Sequence, residues 1–374
     1  MTDTATATVW RGGTRFERVS VPLPTPGPGE TLVRVRAATV CGSDRHSVLG
    51  RRPAACPSVL GHEGTATVVA TDGGTTVDGT PLTPGDRVVF GVTASCGECA
   101  TCRRGLTAKC ERVRKVGHES FDGDWPLSGT WSTHLLLPAG LAVVTVPDDL
   151  PDDRAATAGC AVATVMAMLE KAGPLAGRSV LVNGVGMLGI TAVAAARYAG
   201  AAEVIAVDPA DTARELALTA GADRALRPGE DAGTSTGAAI GAVDVSLELS
   251  GAPAGVRTCV DALATGGTAV LAGSVSPAGT VNLDPERLVR GWNTVTGVHN
   301  YELRHLARAV DLLVDLDAAP HPTLPWERML SAPRRLDGLD GTDSLGAVFT
   351  GPSDGTLRPV LLPCTGKQGH PPAA

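Results

Sequence analysis

The chain has 374 residues, a formal net charge of −7 and 43% hydrophobic residues. That length exceeds what one core usually organises and implies two domains. The acidic balance, with no basic run, excludes a nucleic-acid or anionic-membrane partner on electrostatic grounds. No apolar run reaches bilayer length and Met1 to Val9 lacks a signal-peptide pattern, so the expected location is the cytoplasm. Nine cysteines in such a chain point to metal ligands before disulfides.

Residues 1–40 alternate apolar runs with Pro and Gly. Thr31 to Ala37 has strand period two, and antiparallel β structure leads into the next segment. That segment, Cys41-Gly42-Ser43-Asp44-Arg45-His46, packs a thiol, a hydroxyl, a carboxylate and an imidazole into six residues. Gly61-His62-Glu63 follows. A thiolate with an imidazole suits zinc, and a catalytic zinc takes three protein ligands and keeps a position open. Cys160, the last thiol before the Gly-rich segment, is the third candidate; a buried core thiol is the alternative reading there. Ser43 can pass an alcohol proton outward with His46 as the next relay, and Asp44 can orient the His62 ring. The bland alternatives are a turn-capping serine and a surface histidine.

Cys96, Cys99, Cys102 and Cys110 are spaced C-x2-C-x2-C-x7-C. Four thiols this close can wrap one tetrahedral zinc with no open position, which predicts stability and no chemistry. A loop over Gly117 to Thr130 and a strand over Trp131 to Leu137 come next. The Pro/Asp-rich stretch Pro147 to Pro151 marks the first domain boundary.

Residues 153–176 are helix material, with Cys160 near the start and Thr164 just beyond it. The strand Ser179 to Asn183 then runs into Gly184-Val185-Gly186-Met187-Leu188-Gly189 and an Ala-rich helix. Gly-x-Gly-x-x-Gly between a strand and a helix is a dinucleotide fingerprint. Asp208 ends the next strand 19 residues after Gly189, the spacing of a ribose-diol acceptor. Arg214 supports the adenosine side, and no Arg directly follows Asp208 to receive a 2′-phosphate, so NAD is expected over NADP. Further strands at Val243 to Leu247, Thr268 to Ala272 and Thr294 to Thr296 imply a doubly wound parallel sheet. A helix from Leu303 to Leu316 and a closing strand from Leu357 to Leu362 return to the first domain, and the tail from Thr365 reads as unstructured.

A metal site beside a dinucleotide site points to alcohol–carbonyl redox chemistry. On the quoted motifs, with Gly85-Asp86-Arg87-Val88, the sequence resembles the zinc-dependent medium-chain alcohol dehydrogenase family over nearly its whole length. The resemblance implies an α/β fold in which a GroES-like, mainly β catalytic domain (1–152 and 299–374, its structural-zinc lobe at about 94–112) surrounds a Rossmann domain (153–298). It implies two zinc ions per chain: a catalytic one on Cys41, His62 and Cys160, with Glu63 near it as an occasional alternative ligand, and a structural one on the four-cysteine lobe. It also implies NAD on Gly184, Gly186, Met187, Leu188, Gly189, Asp208, Arg214 and Thr164, and a homodimer or homotetramer. The chain departs from the family pattern at Ala66, where a Gly is usual; this touches no ligand.

Gly50-Arg51-Arg52-Pro53, Lys115-Val116-Gly117-His118-Glu119 and Gly297-Val298-His299-Asn300-Tyr301 are similar to the family branch associated with phosphonate metabolism. Arg51, Arg52, Lys115, His118 and His299 are therefore the expected contacts to an anionic small-molecule substrate. Two rival readings stand beside this one. A polyol or amino-alcohol dehydrogenase is countered by the thiol at Cys160. A catalytically silent zinc-stabilised binding protein is countered by the intact ligand trio and Ser43.

Overall fold

The computed structural model describes residues 4–229, 240–318, 322–339, 345–350 and 355–363; the tail from Thr365 lies outside them. The chain divides into two compact units. One comprises Met1–Cys160, Glu302–Val310 and Leu330–Ala374, the other Ala161–Tyr301 and Asp311–Met329.

In chain order the first unit opens with β1 (Thr4–Trp10), β2 (Phe16–Pro22), β3 (Thr31–Thr39), the short helix α1 (Gly42–Val48), β4 (Ser58–Val59), β5 (Gly64–Thr71) and β6 (Arg87–Ala94). It continues through α2 (Ala100–Arg103), β7 (Arg114–Lys115), β8 (His134–Leu137), β9 (Leu141–Thr145) and α3 (Asp152–Ala156). The second unit holds α4 (Ala161–Ala172), β10 (Ser179–Asn183), α5 (Met187–Tyr198), β11 (Glu203–Val207), α6 (Asp211–Thr219), β12 (Arg224–Leu226), β13 (Val243–Glu248), α7 (Pro253–Asp261), β14 (Leu263–Leu271), α8 (Pro285–Gly291) and β15 (Thr294–Gly297). After α9 (Leu303–Ala318) and α10 (Trp326–Met329), the chain ends in β16 (Arg334–Arg335), α11 (Ala347–Thr350) and β17 (Val360–Leu362).

The first unit is built of two sheets, β2-β1-β4 and the larger β16-β17-β3-β5-β6-β7, with β8 and β9 pairing off β3 and β6. β3 shows why. Val33 and Val35 are buried while Arg34 and Arg36 are exposed, the period of a half-buried strand. One core packs Trp131 and Phe349 beneath β1, and a second packs Phe90, Trp125 and Leu135 between β5, β6 and β8. Only the second half of the strand expected over Trp131 to Leu137 is regular. Its first half leaves to bond β1, with Thr8 N–H donating to Trp131 O and Thr133 N–H to Thr6 O. The second unit is one parallel sheet ordered β12-β11-β10-β13-β14-β15. Strand order reverses between β10 and β13, so the loop after β10 opens at a topological switch point.

The loop that carries His62 is clamped from both sides. Thr130 N–H donates to Gly61 O and Trp131 N–H to Leu60 O. On the other side Gly117, at φ +72°, sits so close that a Cβ there would lie 2.4 Å from Gly61 O. Gly117→Ala is therefore expected to cost about 1–3 kcal/mol of stability through strain and overlap, read as a lowered denaturation midpoint of the purified protein.

Candidate metal centres and dinucleotide loop

The first donor group is assembled at the start of α1. Cys41 stands at the N-cap with extended backbone (φ −75°, ψ 154°), and Asp44 reaches back so that its Oδ2 accepts the Cys41 N–H at 2.9 Å. The other oxygen, Oδ1, lies 3.3 Å from Nδ1 of His62. That contact turns the opposite ring nitrogen, Nε2, toward Ser43, whose Oγ is 3.3 Å away. Cys160 follows a single 3-10 turn, Thr157–Gly159. Gly159 lets that turn press on β6, because a Cβ there would meet Phe90 O at 2.5 Å. The result brings the donor atoms of Cys41, His62, Glu63 and Cys160 within 4.8 Å of one another. The Cys41 and Cys160 sulfurs are 4.0 Å apart. Two sulfurs each about 2.3 Å from one tetrahedral zinc lie roughly 3.8 Å apart, so the residues present fit that ion.

The electrostatics suit a cation. The hydrogen bond from Cys160, helped by Arg358 and His62, pulls the Cys41 thiol well below its ordinary range, while the same bond and burial push Cys160 well above it. Burial opposes charging of His62, yet Asp44 and Cys41 outweigh it and push the ring's pKa well up. Glu63 is fully buried and raised by that burial, with Arg358 opposing. Thr39 Oγ1 donates to one of its oxygens, and Arg358 Nη2 lies 3.2 Å from the other. Arg358 is itself buried and also donates to Val40 O at 3.2 Å. Neither Thr39 nor Arg358 was singled out from the sequence. The one available signal was an arginine set in an otherwise apolar closing segment.

The second donor group is the lobe of Cys96, Cys99, Cys102 and Cys110, likewise within 4.8 Å. Backbone N–H groups of Cys96 and Arg112 point at the Cys110 sulfur (3.4 and 3.3 Å), and that of Cys102 at Cys99 (3.4 Å). Such donors stabilise thiolates. The lobe is tied to the returning chain by Glu302, another residue the sequence did not flag. Its carboxylate accepts the N–H groups of Thr107 (2.9 Å) and Ala108 (3.2 Å) and the Thr107 hydroxyl.

Around α1 the structure gathers positive charge. Arg51 N–H donates to His46 O at 2.8 Å. Burial and then the charges of Arg51 and Arg52 lower the His46 pKa, and burial with Arg52 lowers that of Lys115. The Glu119 carboxylate, which accepts the Lys115 backbone N–H at 2.7 Å, opposes that lowering. His118 packs against His62 with ring centroids 5.0 Å apart and the rings tilted by 48°, and its Nδ1–H donates to Val116 O at 2.7 Å. Burial and His62 push its pKa down to about 4, so it is a neutral hydrogen-bonding ring. No Ser43–His46 hydrogen bond forms among the described residues, and Nδ1 of His46 is buried without a partner. His299 lies in the second unit, just after β15, and Thr164 is half-buried on α4.

In the second unit each glycine of the loop after β10 has its own reason. Gly184 turns at φ +91°, where a Cβ would strike Ser250 N at 2.4 Å. Gly186 caps α5 and faces open space, leaving room for a pyrophosphate at the helix N-terminus. Gly189 lets α5 pack on the loop, since a Cβ would lie 2.1 Å from Gly184 O. Met187 and Leu188 begin α5. Asp208 accepts the N–H of Val185 in this loop at 2.8 Å. Arg214 donates to the carbonyls of Asp208 and Pro209, at 2.8 and 3.0 Å.

Residues 27–148 match the alcohol dehydrogenase GroES-like domain, and residues 187–315 match the zinc-binding dehydrogenase domain. L-threonine 3-dehydrogenase of Pyrococcus abyssi is 34% identical over 283 residues, covering 73% of this chain and 76% of that one. Among solved structures, an alcohol dehydrogenase from Thermotoga maritima superposes with TM-score 0.82 at 25% identity, covering 96% of this chain and all of the other (100%). A zinc-binding dehydrogenase from Sinorhizobium meliloti bound to NADP gives TM-score 0.81 at 26% identity, with 96% and 100% coverage. Fold and donor groups together define an α/β dehydrogenase with a GroES-like unit and a Rossmann-type unit. The chain belongs to the zinc-dependent medium-chain alcohol dehydrogenase family.

Because Asp44 contacts both the Cys41 backbone and the His62 ring, Asp44→Asn is expected to weaken metal retention at this group by about 10–100-fold. A competition titration with a chromogenic chelator measures it.

Proposed function

We propose that the protein is a zinc-dependent, NAD(H)-linked dehydrogenase that interconverts a small alcohol and its carbonyl, the substrate carrying an anionic group, a phosphonate first among the candidates. The observation that carries the reading is the four-donor group of Cys41, His62, Glu63 and Cys160 with the Ser43 hydroxyl 3.3 Å from His62 Nε2. When bound, zinc supplies Lewis acidity toward the substrate oxygen, and the nicotinamide carries the hydride.

The chain's own groups do the rest. Cys41, His62 and Cys160 would hold the metal, while Glu63 stays in its ion pair with Arg358. Ser43 Oγ would take the alcohol proton in oxidation as it passes its own hydroxyl proton on to solvent, and the same two transfers run backward in reduction. Gly186 admits the pyrophosphate. Asp208 presents its carboxylate to the ribose diol, and its charge disfavours a 2′-phosphate. Arg51, Arg52 and Lys115 hold the substrate's anionic group away from the reacting carbon.

The relatives that act on L-threonine favour a second reading within the same chemistry. Threonine's carboxylate is also an oxyanion, and the same three cations suit it. Cys160 in the donor group, with three cations gathered near α1, is what supports an anionic alcohol such as a phosphonate over threonine.

Freshly purified, unchelated protein is expected to contain two zinc ions per chain, one for each donor group. Cys41→Ala should keep one zinc and a folded chain but lose turnover; Cys99→Ser should chiefly lose stability. Elemental analysis finding one zinc or none in the unmodified protein rejects the two-site reading.

Substrate choice is tested with a hydroxyalkylphosphonate, L-threonine and a neutral alcohol of similar length. Arg52→Ala is expected to raise KM for the phosphonate by about 10-fold or more, the worth of one charge-assisted contact, with little effect on the neutral alcohol. Equal kcat/KM for the phosphonate and the neutral alcohol in the unmodified enzyme removes the case for an anionic substrate; threonine as the best substrate replaces the phosphonate with an amino acid.

A further inference from the structure

We propose that Asp211 is a second determinant of cofactor choice, a positioning residue that keeps two guanidinium groups unavailable to a 2′-phosphate. The proposal rests on the NAD(H) reading above and extends it beyond Asp208. The strands β11 and β12 lie side by side, with Asp208 N–H donating to Leu226 O at 3.1 Å. The residues just past their ends, Asp208, Asp211, Arg214 and Arg227, therefore gather at one corner of the sheet.

The bonding there is ordered in two tiers. Asp208 faces the glycine loop. Its Oδ2 accepts from Val185 N–H at 2.8 Å and its Oδ1 from Ala210 N–H at 2.9 Å, which fixes the carboxylate that meets the ribose. Behind it, Arg214 is anchored by the carbonyls of Asp208 and Pro209, and its side chain is 14% exposed. The remaining arm of Arg214 is directed at Oδ1 of Asp211, and Arg227 Nη2 reaches that same oxygen at 2.7 Å. One carboxylate oxygen thus engages two guanidinium groups beside the ribose carboxylate.

A guanidinium fork is the group that best matches a phosphate. The corner carries the cations a 2′-phosphate would need, yet both are turned onto Asp211, which adds a second negative charge next to Asp208. A cofactor phosphate would have to displace an anion already in place. Arg214 cannot swing freely to do so, because two backbone carbonyls hold it. Asp211 itself is 68% exposed. Ion pairs of that exposure contribute little stability, so Asp211 variants are expected to fold.

The test uses full-length, zinc-loaded enzyme. Binding of 2′,5′-ADP and of 5′-AMP is measured for the unmodified protein, Asp211→Asn, Asp211→Ala and Asp211→Asn with Arg214→Ala and Arg227→Ala. The kcat/KM for NAD⁺ and NADP⁺ is determined with one alcohol. Asp211→Asn is expected to tighten 2′,5′-ADP by about tenfold, as one freed charge-assisted contact predicts, with a much smaller change for 5′-AMP. The gain in NADP⁺ efficiency should lie in KM and not kcat, shrink with added salt, and vanish when Arg214→Ala and Arg227→Ala are both added. A merely structural role would move both nucleotides together. If the unmodified enzyme prefers NAD⁺ but neither Asp211 variant tightens 2′,5′-ADP, or the gain survives Arg214→Ala with Arg227→Ala, the role of Asp211 is overturned while the NAD(H) reading stands. If the unmodified enzyme prefers NADP⁺, the NAD(H) reading falls and the proposal with it.

Discussion

The carboxylate of Asp44 is the contact on which the metal centre depends. It is almost fully buried, and burying an ionised carboxylate is costly unless its lone pairs are used. Here they are used twice, on the Cys41 N–H and beside the His62 ring. One side chain therefore ties the start of a helix to a loop from the neighbouring strand, and in doing so fixes which nitrogen of His62 is free to bind. The other buried charges follow from this one. Asp44 holds the supports of Cys41 and His62, the turn at Gly159 brings Cys160 to them, and Glu63, carried into the same interior by the next position along the chain, has to be answered by Thr39 and Arg358.

A similar economy runs through the second unit. The glycine loop, Asp208 and Arg214 form one bonded series, from Val185 N–H through the carboxylate to the carbonyls that anchor the guanidinium. Backbone groups supply most of it. Recognition of a dinucleotide thus depends on where the parallel strands end, and side chains adjust its selectivity. The sheet reverses its strand order beside this loop, which is where such a fold leaves a crevice.

What was legible in the sequence was what is local. The four-cysteine lobe and the glycine loop each span few residues, and their spacing alone encodes a geometry. The doubly wound sheet was readable from strand–helix alternation, and the role of Asp44 beside His62 from a cluster of six residues, though the helix α1 that carries it was not. Arg358 was not, because its partner Glu63 lies far back in the chain and a lone arginine near a strand has many ordinary explanations. Glu302 was equally silent: its three acceptor contacts are with a lobe whose own motif says nothing of what braces it. The segment at Trp131 to Thr133 read as a strand by pattern and became a bridge to β1, because pairing with a different sheet is a tertiary decision that periodicity does not carry.

The long return of the chain has a consequence for biogenesis. β17 pairs with β3, Val360 opposite Thr39, and Arg358 meets Glu63 only once this last stretch is in place. Synthesis runs from the N-terminus, so Cys41, His62 and Cys160 leave the ribosome long before Arg358 does. During that interval the interior holds an acid without its counter-charge, and β3 keeps part of its edge open. A nascent chain stalled near its end is thus a metal-competent but unfinished domain, with an exposed strand edge of the kind that chaperones and proteases recognise.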